Sequence, residues 1–97
     1  MKKHLNITIK GKVKHIGFRF MTMQAAYKYG VFGFVKHNNS NDTIYIEVEG
    51  EEENINNFVE WCKVGPCGAN VKEVEIVEEM MINFTSFDVI SSKNIVN

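Results

Sequence analysis

The residues best suited to chemistry lie in one stretch, Gly11 to Arg19, which reads GKVKHIGFR. An alternating run, Leu5, Ile7 and Ile9, precedes it, and a run at helical spacing from Phe20 to Tyr29 follows. The chain therefore leaves a strand, makes a loop and enters a helix. Backbone N–H groups of such a loop, with those of the helix's first turn, form a concave set of donors. The helix dipole adds partial positive charge at the same place. Arg19 adds a planar guanidinium whose fork matches phosphate or carboxylate oxygens. The chemistry that this spacing suits is the holding of an anion. The same residues also suit an ordinary strand–helix turn with a solvated arginine.

The elements that would position the loop are legible in the pattern. His4 to Lys10 predicts a half-buried strand. Phe20, Met23, Ala26 and Tyr27 predict a helix with these residues in the core, stopped by Gly30. Gly33 to Lys36 opens a second strand, and the polar block His37 to Asp42 is a turn. Thr43 to Glu49 is a third strand, with Ile44, Ile46 and Val48 on one face, so the two strands form a hairpin. Gly50 is expected to break that strand. Glu51 to Glu53 open a second helix whose apolar stripe is Ile55, Phe58, Val59 and Cys62, with Trp61 beside it. Val64 to Ala69 connects it to a fourth strand, Val71 to Glu78, and a last short strand is expected from Phe84 to Ile90. Residues 91–97 read as a frayed tail. The order βαββαβ, with a short extra C-terminal strand, predicts an α+β, ferredoxin-like sandwich. In it, a mostly antiparallel sheet carries two helices on one face. That architecture hosts many functions and decides none of them.

Bulk properties narrow the class. With 97 residues, the chain suits one domain over residues 1–97. No apolar run approaches the ~20 residues of a membrane span. The N-terminus MKKHLNITIK lacks an apolar core, so it does not read as a signal peptide, and a cytoplasmic protein is expected. Cys62 and Cys67 have no nearby His and do not form a zinc pattern; they read as two reduced thiols. No Asp or Glu precedes Asp42, whereas seven lysines, Arg19 and all three histidines do. A positive field over the first half suits an anionic ligand, unless the two halves interleave their charges on folding.

Several pieces together resemble one family. They are Gly11-Lys12-Val13, Gly17-Phe18-Arg19, Ala26, Gly30, Gly33-Phe34-Val35, Gly50, Trp61, Gly65-Pro66-Cys67-Gly68-Ala69, Val71 and Val74. In this order and at this spacing they resemble the acylphosphatases, from about Leu5 to about Val89. The resemblance implies hydrolysis of carboxyl-phosphate mixed anhydrides to carboxylate and phosphate, with no metal and no cofactor. It implies that amides of His15, Ile16, Gly17, Phe18 and Arg19, with the Arg19 side chain, bind the phosphate. It also implies a water held by an Asn on the second strand. The expected partners are a small acyl phosphate and inorganic phosphate, with no nucleic acid and no membrane, and the expected state is a monomer.

The sequence departs from the family pattern at two places. The family loop usually reads Gln-Gly-Val where this chain has Lys14-His15-Ile16, and a non-glycine residue in a left-handed conformation costs on the order of 1 kcal/mol or more. The water-holding slot falls on His37 counting forward from Gly33, and on Asn38 counting back from Gly50. A bulge near Lys36 or His37 would bring Asn38 to the active face; a longer turn would leave His37 there. Asn38 is the expected holder, with His37 the alternative, either as a water-positioning ring or as a general base. Two further readings stand beside a working enzyme. One is a degenerate relative that binds phosphate, an acyl phosphate or a protein partner without turnover. The other is RNA binding, which shares the βαββαβ layout but needs exposed aromatics on the central strands. Here those strands read LNITI and IYIEVE, and the glutamates argue against nucleic acid.

Overall fold

The computed structural model describes residues 1–12, 17–37, 43–65 and 70–90. Its elements are β1 (Lys2–Lys12), α1 (Phe18–Tyr29), β2 (Phe32–His37), β3 (Thr43–Glu51), α2 (Glu52–Val64), β4 (Asn70–Glu79) and β5 (Phe87–Ile90). The sheet order is β4-β1-β3-β2-β5. Every pairing is antiparallel except that of β2 with β5, which is parallel. The expected element order and sandwich are therefore present. The expected tail at 91–97, Cys67, His15, Ile16 and Asn38 lie outside the described residues.

The alternation read from the sequence decides the two faces of the sheet. Ile7 and Ile9 of β1, Val35 of β2, Ile44, Ile46 and Val48 of β3 and Phe87 of β5 are buried in one core. Ile55, Phe58, Val59 and Cys62 of α2 complete it, as their spacing indicated. Burial pushes the Cys62 thiol pKa up, so this thiol stays protonated. The first helix differs from expectation. Its buried residues are Phe18, Thr22, Ala25 and Ala26, while Phe20 and Tyr27 are exposed. The helix begins two residues earlier than its apolar run, and Phe18 sets the rotational phase by packing edge-on against Trp61. Thr22 tolerates the core because its hydroxyl donates to the Phe18 carbonyl at 2.7 Å.

Two strand boundaries are also corrected. Gly50 does not break β3, which pairs on to Glu51 opposite Lys2. A Cβ at Gly50 would lie 3.3 Å from Val31 Cγ1, so the glycine lets the strand pass close under the turn between α1 and β2. The last strand begins at Phe87 and not at Phe84. The reason is that amides of the preceding segment are engaged elsewhere. Asn83 and Phe84 N–H groups donate to Glu49 Oε1 at 2.8 Å each, and the Ile82 N–H donates to Glu49 Oε2. Asn83 takes the left-handed φ of 71° that lets three successive amides converge.

Glu49 is 2% exposed and has His4, 1% exposed, beside it on β1. His4 Nδ1 lies 2.6 Å from Glu49 Oε2, and Nε2 lies 2.9 Å from Asn6 Oδ1 and 3.1 Å from Glu47 Oε1. Both ring nitrogens face acceptors, which an imidazolium satisfies by donating from each. Burial by itself pulls the His4 pKa down, but the bonds to Glu49 and Asn6 and the charges of Glu49 and Glu47 outweigh it and raise it. Burial likewise pushes Glu49 up, and the His4 bond with the amides of Ile82 and Phe84 outweighs it and lowers it. The cluster belongs to a wider interleaving of charge. Lys3 meets Glu52 at 3.0 Å and Lys10 meets Glu75 at 3.8 Å, so the segregation along the chain does not persist in space.

Linkage gives this cluster a signed pH dependence. The lowered Glu49 contributes fully above the ordinary carboxyl value of 4.5, and its contribution is lost as pH falls through its folded value. The raised His4 contributes fully below the ordinary imidazole value of 6.5, and its contribution is lost as pH rises through its folded value. Urea midpoints across pH should therefore show this contribution at its largest between these two values. Glu49→Gln should cost about 3 kcal/mol within that window, because it leaves His4 without its buried partner. An unchanged profile in Glu49→Gln would remove the pair from the stability of the fold.

Candidate active site

Three elements end at one corner of the sheet: β1 runs out at Lys12, β2 at His37 and β5 at Ile90. The chain enters α1 through Gly17, which has φ 72° and ψ 23°, a left-handed conformation. The Met21 N–H donates to the Gly17 carbonyl at 2.9 Å, so the helix hydrogen-bond ladder starts from that residue. A Cβ on Gly17 would meet nothing within 4 Å. Glycine is needed there for its dihedral angles and not for space. Phe18 then turns into the core, and Arg19 faces the corner.

The Arg19 guanidinium is held from outside its own helix. Its Nη1 donates to the carbonyl of Ile90 on β5 at 2.9 Å. The guanidinium has five N–H donors, so this bond orients the fork while leaving donors for an anion. Parallel pairing of β5 with β2 places Lys36 opposite Ile90, next to His37. Gly17, Phe18, Arg19, Phe20, His37 and Val89 line a shallow depression of about 170 Å³. None of these six side chains is acidic, so the local field favours a negative group.

The structure thus brings together Gly17, Phe18, Arg19 and His37 of the residues expected from sequence. His15, Ile16 and Asn38 fall outside the described residues. The β2–β3 register is regular from Phe32 opposite Glu49 to His37 opposite Ile44. There is no register shift up to His37, the last described pair, so the described pairs do not show the bulge that was one of the two alternatives for the extra residue. His37 shares strand parity with Val35, on the face covered by the helices.

The Acylphosphatase family pattern matches residues 5–89. The chain belongs to the acylphosphatase family. An acylphosphatase of Pyrobaculum islandicum is 37% identical over 86 residues, covering 88% of this chain and 90% of the relative. An acylphosphatase of Aliivibrio fischeri is 35% identical, covering 89% and 94% respectively. The crystal structure of acylphosphatase from Bacillus subtilis superposes with a TM-score of 0.86 at 26% identity, over 93% of this chain and 99% of that one.

At this corner of the acylphosphatase fold, two groups went unmarked in the sequence. One is the Ile90 carbonyl that orients Arg19, a backbone group that leaves no mark in side-chain pattern. The other is Phe20, which helical spacing assigned to the core but which lines the depression. An earlier helix start at Phe18 would have signalled the shift in phase.

The left-handed Gly17 yields a direct test. Gly17→Ala should lower stability by about 1 kcal/mol through dihedral strain alone, measured by urea denaturation. No loss would mean that the loop reaches α1 without that conformation.

Proposed function

We propose that the chain is a working acylphosphatase whose phosphate site is made by the amides of residues 15–19 with the Arg19 side chain. The observation that carries this reading is the Arg19 fork, oriented by Ile90 O, beside the left-handed Gly17 at the helix start, with His37 on the same depression. The substrate is a small acyl phosphate and one product is inorganic phosphate. Loop amides from His15 to Arg19 and the guanidinium take the phosphoryl oxygens. No metal or cofactor is assigned a role.

In the reaction, the oxygen of a water attacks phosphorus in line with the bridging oxygen. The bond from phosphorus to that oxygen breaks, its electron pair leaves with the carboxylate, and the water's proton passes to phosphate or solvent. A carboxylate is a good leaving group, so no strong base is required. Held charge and alignment can carry most of the rate. Arg19 stabilises the charge on the equatorial oxygens, and the end of β2 aligns the water. Two adjacent side chains could do that, His37 and Asn38. The regular β2–β3 pairing and the place of His37 on the depression favour His37 as the positioning residue. We further read the chain as one domain acting as a cytoplasmic monomer.

Hydrolysis of a model acyl phosphate should proceed equally with and without EDTA. Arg19→Ala should lower kcat/KM by about 100-fold or more, and Arg19→Lys should recover little, since a point charge cannot replace the bidentate fork. Full activity in Arg19→Ala would remove Arg19 from the mechanism. No wild-type turnover with phosphate still bound, seen as amide shifts near Arg19, would point to a degenerate binding domain.

The water-holding residue has its own test. His37→Ala should lower kcat by about tenfold or more with little change in KM, the mark of an interaction made chiefly in the transition state. If Asn38→Ala is crippling and His37→Ala is silent, the water belongs to Asn38.

A further inference from the structure

We infer that Phe20 and Val89 form an apolar seat for the acyl group, so that this site favours apolar and aromatic acyl phosphates over the smallest ones. The inference rests on the reading of the Arg19 corner as the phosphate site. Phe20 is 54% exposed and Val89 38% exposed, and both line the same depression as Gly17, Arg19 and His37. Phe20 follows Arg19 directly on the first turn of α1, and Val89 precedes Ile90, the residue whose carbonyl holds the Arg19 fork. The apolar wall is therefore continuous with the cation that takes the phosphate.

Phe20 is left half in water at the helix start, while Phe18 fills the core position against Trp61. An acyl phosphate bound by its phosphoryl end has only a few ångströms before its carbonyl substituent begins. Among the described residues, the depression offers that substituent a phenyl ring and a branched aliphatic side chain beside the Arg19 guanidinium and the His37 ring, and no carboxylate. A carboxylate-bearing acyl group would lose hydration against these two apolar side chains. An apolar one would gain contact with the ring face and release water.

The test uses non-hydrolysable isosteres in which a methylene replaces the bridging oxygen: phenacylphosphonate, with an aromatic acyl group, and acetonylphosphonate, with a methyl one. Their dissociation constants are measured by calorimetry or amide NMR on the full chain, alongside inorganic phosphate. The wild type should bind phenacylphosphonate roughly fivefold or more tightly than acetonylphosphonate, the scale of one aromatic contact. Phe20→Ala should bring that ratio close to one, and Phe20→Tyr should restore it. Phe20 is exposed and Ala is the better helix former, so Phe20→Ala should remain folded, as far-ultraviolet circular dichroism checks. Phosphate binding near Arg19 with a wild-type ratio close to one, or with a ratio that survives in Phe20→Ala, overturns the inference and leaves the phosphate site standing. If neither phosphonates nor phosphate shift the Arg19 region, the phosphate site itself fails and the acyl seat fails with it.

Discussion

The carboxylate of Glu49 is the constraint on which much of this fold depends. It sits at the inner end of the central strand, where an unpaired charge would cost several kcal/mol. It is instead surrounded by the amides of Ile82, Asn83 and Phe84 and by the His4 ring. One buried anion therefore does two jobs. It joins β3 to β1 through His4, and it folds the segment after β4 back across the sheet.

That return has a consequence at the other end of the molecule. Once the 80–86 segment is fixed, the Ser86 carbonyl accepts from the Gly33 N–H at 2.8 Å, and β5 runs parallel to β2 from there. Four residues later, Ile90 offers its carbonyl to Arg19. The arginine's orientation is thus set by a strand that contributes no side chain to its charge. The dependence runs through backbone pairing, which is stiff, and not through a chain of mobile side chains.

The open face of the sheet is shaped by the same return. Phe84 packs edge-on against Phe34 at 5.9 Å and lies 5.8 Å from the His4 ring, and Phe34 in turn meets Tyr45. Tyr45 donates to Glu47 at 2.9 Å, and burial together with that carboxylate pushes its pKa up to about 12. The aromatics of this face are thereby committed to one another and to carboxylates.

Much of the architecture was legible in the sequence because it rests on local periodicity. Alternation placed β1, β3 and β4, the 3.6-residue spacing placed the buried stripe of α2, and ordered anchors such as Gly17-Phe18-Arg19 and Gly33-Phe34-Val35 carried the family resemblance. Where a boundary depended on a distant partner, the sequence was silent. The phase of α1 follows from Phe18 meeting Trp61, 43 positions away on α2, and moved Phe20 from the expected core to the rim of the site. Gly50 reads as a stop only until Val31 is seen to need the space above it. The extra strand starts later than expected, and a glutamate on β3 has taken the amide of its expected first residue, Phe84. His4 and Glu49 look like one more strand histidine and one more surface acid, since pairing between residues 45 positions apart has no signature along the chain. Residue types and their spacing marked Arg19 as the side chain proposed to hold an anion; only tertiary packing decided what holds Arg19, because that partner is a backbone carbonyl delivered by a strand from the far end of the chain.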